Sequence, residues 1–275
     1  MSEPEDQMPS AAPVYAAPQP QEQPAVEEPA RLGPLSRLTG TLFSPGETFA
    51  DVNRKPTWIA PMIIAIATVL ASSFFFSWRA HPDWDTIFRT QFKKQAEKRN
   101  QQPTPEQLDQ QVAIAKTFAK YSPIIGAVFT PILYVILAGI FALGMVFIQA
   151  KTTFKKILSV VSWSCASLGI VTSIVMMASL MMRDEEGLRS IDPTQPAGIV
   201  PSNFAAFLSS DASAVIKSLA GSLDIFTIWL LILFSIGFAK IAGSRKTTTG
   251  KTASVVFGFW AVFVVIKLGW SAIFG

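Results

Sequence analysis

One cysteine and one histidine are all that 275 residues contain. With Cys165 alone, an intrachain disulfide and a cysteine-built metal centre are excluded, and His81 alone cannot anchor a multi-histidine site. Charge is scarce as well, Asp, Glu, Lys and Arg together making up 15% of the chain. No P-loop, His-Glu-x-x-His, Gly-x-Ser-x-Gly or paired-carboxylate motif stands in usable context. Neither catalysis nor a cofactor or bound metal is therefore expected. Three adjacent acids, Asp184, Glu185 and Glu186, lack a spaced second set of ligands and read as a solvated loop.

What the chain has in abundance is apolar sequence: half of its residues are hydrophobic, and its mean hydropathy is positive. That balance suits several membrane spans joined by polar loops, not a soluble domain. The net charge of +4 is unevenly spread, because residues 1–30 hold six acids and no Lys or Arg. The remainder is strongly basic, and its Lys and Arg flank the apolar runs as membrane-bordering charge does, which excludes a nucleic-acid surface.

Residues 1–32 are rich in Pro, Gln, Glu and Ala and cannot bury enough apolar surface to offset their conformational entropy, so a disordered acidic tail is expected. Its acidic start does not fit an ordinary secretory signal, leaving the first span as the targeting signal. From Pro34 to Val52 two short helical patterns follow. Ser44-Pro45-Gly46-Glu47 reads as a helix start, with Ser44 as cap, Pro45 in the first turn and Glu47 reaching back, and Phe49 and Val52 form the apolar side. These pieces either lie along the interface, with Arg37, Arg54 and Lys55 toward anionic head groups, or pack beneath the bundle.

Five apolar runs are each long enough to cross a hydrocarbon core of ~30 Å: about 58–78, 123–149, 157–182, 223–242 and 253–273. Tryptophans border the first. Ser122 and Pro123 read as cap and first residue of the second, and Pro131 should kink it. The third carries a small, slightly polar stripe, Ser162, Cys165, Ala166, Gly169, Thr172 and Ser173, suited to close helix approach, with Cys165 as one of its packing residues. The fourth and fifth form a hairpin around a short basic turn. Fold class is accordingly all-α, a polytopic bundle of five transmembrane helices with short interfacial or extramembrane helices, the membrane domain covering 33–275.

Two polar excursions separate the spans, 79–122 and 183–220. In the first, Trp84, Phe88 and Phe92 recur at helical spacing, and Thr104-Pro105-Glu106-Gln107 is a second capping box, with Thr104 and Gln107 as its reciprocal pair. In the second, Asp211 is placed to cap a short helix leading into the fourth span. Lys and Arg near the ends of the short loops put the N-terminus in the cytoplasm, and five crossings put the C-terminus outside.

Ionisable groups inside a membrane are functional candidates by default, and here they are Asp224 and Lys267, at nearly the same depth on the two arms of the hairpin. One reading joins them as an ion pair fixing the two spans together; another has Asp224 capping its helix while Lys267 snorkels outward; a third is a proton or substrate relay.

The segment Leu42-Phe43-Ser44-Pro45-Gly46-Glu47-Thr48-Phe49, the five-span layout, and the run Leu223-Asp224-Ile225-Phe226-Thr227-Ile228-Trp229 with Ile236-Gly237 and a basic turn downstream resemble the Yip1 domain family, especially its bacterial members. The resemblance covers roughly residues 35–274, and Asp224, Phe226, Trp229 and Gly237 are its most specific positions. It implies a non-enzymatic integral protein of the cell membrane, such as a bacterial inner membrane, working through protein or lipid contacts in membrane organisation or trafficking. Eukaryotic relatives act in vesicle traffic and bind small GTPases, but their tyrosine- and glycine-containing motifs are not evident, so GTPase binding does not carry over. The implied partners are the lipid bilayer and membrane or cytoplasmic proteins, with homo-oligomerisation left open. The competing class is a transporter or a subunit of a transport complex, which would need a polar cavity between spans near the Ser162–Ser173 stripe.

Overall fold

The computed structural model describes residues 32–189, 191, 199–209, 212–243 and 247–274. The expected tail, up to residue 31, Asp211, and Ser244, Arg245 and Lys246 of the last turn lie outside them. Among the described residues the chain is helical throughout, with no strand beyond one isolated bridge between Asn203 and Asp224. In order the helices are α1 (Pro34–Phe43), α2 (Pro45–Arg54), α3 (Ile59–Ala80), α4 (Trp84–Lys98), α5 (Pro105–Phe147), α6 (Phe154–Met181), α7 (Glu185–Arg189), α8 (Ala214–Ser222), α9 (Ile225–Ile241) and α10 (Thr249–Phe274), with a 3₁₀ turn at Phe204–Phe207 before α8.

Four of these, α3, α5, α6 and α10, are long and apolar enough to cross a membrane; α9 is apolar but only 17 residues long. Their outer faces are apolar too. Val262, Phe263, Val265, Ile266 and Trp270 of α10 stand exposed, as do Ile132, Leu133, Ile136 and Leu143 of α5. An exposed apolar surface that continuous belongs against lipid, not water.

The core gathers at the end of the bundle where α6 begins and α9 ends. Phe141 of α5 packs edge-on against Phe234 of α9, ring centroids 5.2 Å apart, and meets Phe238 at 4.9 Å. Trp163, Val160 and Val161 of α6 and Phe49 and Val52 of α2 are fully buried in the same cluster. Close approach here depends on Gly237: a methyl in its place would overlap Val160 and come within 3.2 Å of the Phe49 ring. The turn after α9 needs Gly243 for a different reason, its φ of +64° being a conformation that side chains disfavour.

Two expectations about this framework are corrected. The helix that carries the second span does not begin at Ser122–Pro123: α5 runs unbroken from Pro105 and carries both Pro123 and Pro131 inside it. A proline strands the carbonyl four residues earlier, but Ser122 Oγ donates to that very group, Ala119 O, at 2.8 Å, so the helix continues. Residues 105–122 are thus the start of α5, not a separate helix. The second correction concerns the start of α2. Ser44 precedes the helix and Pro45 opens it, yet Ser44 makes no side-chain cap bond. Its N–H is already donated to Gly40 O as the end of α1, 2.8 Å away, so Glu47 finds no donor to reach back to.

The excursion between α3 and α5 folds back as α4 along the first part of α5. Asp83 caps α4, and Trp84, Phe88 and Phe92 stack along it with centroids 5.5 and 6.2 Å apart. Thr104 and Gln107 form the reciprocal capping box that starts α5. Arg89 bonds Asp85 of its own helix at 2.5 Å and Asp109 of α5 at 2.6 Å, and Lys116 of α5 reaches Asp85 at 3.0 Å. Asp85 is held below the usual carboxylate range, first by the Arg89 hydrogen bond and then by Lys116, and Arg89 is raised by the same contacts.

Candidate functional site

Asp224 and Lys267 lie close in depth but do not meet. Asp224 occupies the N-cap of α9: its Oδ1 accepts from Thr227 N at 2.9 Å and from Thr227 Oγ1 at 3.3 Å, and its Oδ2 accepts from Ser202 Oγ. Lys267 Nζ, on α10, instead donates to Ser218 O at 3.2 Å and Ser222 Oγ at 3.0 Å, both in α8. The ion-pair expectation is overturned, and so is outward snorkelling by Lys267. The physical reason is that each charge sits at the helix end that satisfies it, an anion at the start of α9 and a cation at the end of α8.

This arrangement reveals a feature that the hydropathy pattern hides. Thr252 Oγ1 donates to Ser235 O at 2.6 Å, which puts α9 antiparallel beside α10. Fifteen residues further along α10, Lys267 is level with Ser218–Ser222, about fifteen residues back along the other strand of the hairpin. α8 and α9 therefore both pack along α10, joined through a break at Leu223–Asp224. The backbone freed by the break is accounted for: Leu223 N bonds Ala220 O at 3.2 Å, and Ile225 N bonds Ser202 O at 3.1 Å. Ser213 provides the α8 cap, accepting from Ile216 N at 3.3 Å.

Beside the break lies an open groove of about 580 Å³ between α6, α9 and residues 199–203. Its polar end is made by Asp224, Thr227, Ser202 and Asn203, with Thr172 and Ser173 facing from α6; Leu168, Met176, Val200, Phe226 and Leu230 make its apolar walls. Of the small-residue stripe, Cys165, Gly169, Thr172 and Ser173 border this groove, whereas Ser162 and Ala166 are buried in the bundle. Of the family-pattern residues, the structure brings together Asp224 and Phe226 here; Trp229 is half-buried further along α9, and Gly237 lies in the core two turns beyond it. The acids at 184–186 do not converge: Asp184 accepts from Gly187 N at 2.8 Å, and Glu185 lies 3.7 Å from Arg79. Among the described residues no group of three possible metal ligands is gathered anywhere.

A second polar site, at the opposite end of the bundle, was not anticipated. Arg37 does not face head groups; it is 3% exposed and turned inward between α1, α2 and α6. Its Nη2 and Nε bond Asp51 Oδ2 at 2.7 and 3.0 Å, and its Nη1 bonds Thr57 Oγ1 at 2.6 Å and Lys55 O at 3.2 Å. The guanidinium lies 5.8 Å from the Trp163 ring centroid, and Trp163 Nε1 donates to the same Thr57 hydroxyl at 3.4 Å. The sequence carried a signal: Arg37 shares a helix face with buried Thr41, and Asp51 shares one with buried Thr48 and adjoins Val52. Of the two placements open to α1 and α2, the structure has them packed beneath the bundle.

A family model described as the Yip1 domain matches residues 39–270. The chain is also 24% identical over 232 residues to "Membrane protein YknW" of Bacillus subtilis (strain 168), an alignment covering 82% of this chain and 87% of that protein. No solved structure matches it.

Proposed function

Because the chain belongs to the Yip1 domain family, we propose that it is a non-enzymatic scaffold or adaptor of the cell membrane, crossing the bilayer five times and acting through protein or lipid contacts. The fifth crossing is α8 with α9. Alone, α9 is at the short limit for a span, but with α8 before it the segment 214–241 is ample. Charges agree with a cytoplasmic N-terminus and an external C-terminus, since Lys151, Lys155 and Lys156 lie at the end of the bundle where α1 and α2 pack.

The observation that carries the scaffold reading is the closed aromatic core. Phe141, Phe234, Phe238 and Trp163, each at most 3% exposed, fill the bundle below the groove, and Phe49 and Val52 of α2 seal them. A solute path would have to cross that layer. What remains to interact is a rigid platform, α1 and α2, from which the acidic tail leaves. A transport role draws support from one feature, the break between α8 and α9 beside a groove, since discontinuous helices mark many transporter sites. Opposing it, the groove walls extend no further than Cys165 and Leu230.

Photo-crosslinkers placed at exposed Leu35 and Phe43 of α1, and in the tail, test the proposal in native membranes. Discrete protein or lipid adducts at Leu35 and Phe43 are expected, weakened when residues 1–31, which carry neither position, are removed. Absence of any adduct, together with solute flux through reconstituted vesicles that Phe141→Ala accelerates, would replace the scaffold by a carrier.

A further inference from the structure

We infer that the groove at the α8–α9 break is a binding site for an amphiphile bearing a single ammonium group, with the cation against Asp224 and the apolar part along α6 and α9. Among the described residues that line the groove, Asp224 is the one charged side chain. Its carboxylate is not consumed by a basic neighbour: the hydrogen bonds found on it come from a hydroxyl of Ser202 and from the amide and hydroxyl of Thr227. Those three donors are neutral. A carboxylate so placed has acceptor capacity left over.

Lys267, the cation that would be expected to neutralise it, is held on α8 and does not line the groove. Its position matters to the argument. Had Lys267 bonded Asp224, the groove would have been electrically neutral. Instead it answers the carbonyl end of α8, leaving a half-buried anion facing an open space.

Depth and volume select the ligand further. α6 continues nine residues beyond Thr172 to Met181, about 14 Å at 1.5 Å per residue. The polar end of the groove thus lies well inside the bundle's length, where a free ion would forfeit much of its hydration. About 580 Å³ is far more than a bare metal ion or water needs and falls in the range of organic-ligand pockets. The walls that remain, Leu168, Met176, Val200, Phe226 and Leu230, are apolar and cannot replace water around an ion, but they can cover an alkyl chain. A cationic head on an apolar body satisfies both parts at once. The inference needs the bundle to stand in lipid; it is independent of what the tail or α1 recruits, so failure here and failure of the crosslinking experiment are separate results.

The test uses the full chain in a non-ionic detergent, with bound probe counted by native mass spectrometry. The probes are dodecyltrimethylammonium, dodecanol for the same tail without charge, and tetramethylammonium for the head without a tail. One saturable dodecyltrimethylammonium is expected, with either partial probe at least tenfold weaker. Asp224→Asn keeps an effective helix cap while removing the charge, and should weaken the probe at least tenfold with an unchanged melting temperature. Gly169→Leu fills the groove from a position where an added Cβ meets no atom within 4 Å, and should abolish binding with the Asp224 cap intact. Equal affinity in Asp224→Asn and the parent, retained binding in Gly169→Leu, or dodecanol matching the charged probe would each overturn the assignment. A match by tetramethylammonium would overturn it in favour of a small soluble cation.

Discussion

Replacing Arg37 by Met tests whether the α1–α2 platform is a fixed part of the bundle. Arg37 and Asp51 are 3% and 2% exposed, so their charges are removed from water and satisfied by each other. Removing one member of such a pair leaves the other charge buried, at a cost of about 3–5 kcal/mol. Arg37→Met also forfeits the bonds to Thr57 Oγ1 and Lys55 O, which tie α1 to the start of α3. Methionine preserves most of the side-chain volume, so a lost cavity contact contributes little. Removing both charges with Arg37→Met/Asp51→Leu eliminates the stranded carboxylate, and the double variant should recover most of the loss. Unfolding in mixed micelles, titrated with sodium dodecyl sulfate and followed by tryptophan fluorescence, measures all three chains; Trp163 beside the guanidinium is one of seven reporters. An Arg37→Met chain as stable as the parent, or a double variant no better than the single, would refute the coupling.

Gly237→Val should cost at least ~1–3 kcal/mol by overpacking against Val160 and Phe49, whereas Gly139→Ala, where an added Cβ meets nothing within 4 Å, should be near neutral; the same titration compares them. Thr104→Ala removes the capping box of α5 and should cost about 1 kcal/mol, seen as faster hydrogen exchange in the first turns of α5 and unchanged exchange in its apolar part. Asp85 is depressed by Arg89 and Lys116, so the stability it lends to α4–α5 docking is complete above its unfolded value and is lost as pH falls through the lower folded one. Amide exchange in α4, corrected for intrinsic rate, should loosen only in strongly acidic solution, and Asp85→Asn should produce that loosening at neutral pH. Single cysteines at Ser2 and Ser271 in a Cys165→Ser background should label from opposite faces of sealed vesicles; labelling from one face would remove the fifth crossing.

Much of the framework was legible because lipid imposes a simple rule of length and hydropathy: the first expected span, 58–78, is α3 at Ile59–Ala80, and the third, 157–182, is α6 at Phe154–Met181. Legibility failed where the same residue supports two local structures. Ser122-Pro123 reads as a helix start, and only the Ser122 bond to Ala119 O reveals a continuous helix. The helix before Asp224 was hidden because α8, with its polar Lys217 and serines, falls below the hydropathy of a span. Of the readings open for Asp224 and Lys267, the cap on α9 is found and the ion pair and outward snorkelling are not, since sequence spacing gives the level of a charge along a helix but not which neighbouring helix end it answers.

The contact between Phe49 and Gly237 has a consequence for biogenesis. The two residues are separated by about 190 positions, yet the ring of one closes over the other. A ribosome adding 5–20 residues per second would reach the glycine roughly 10–40 s after finishing the phenylalanine. Throughout that interval the ring lacks the α9 side of its socket, with α6 already available to pack against. A nascent chain stalled before residue 237 should therefore leave Phe49 open to protease and to chemical footprinting, and release of the finished chain should close it.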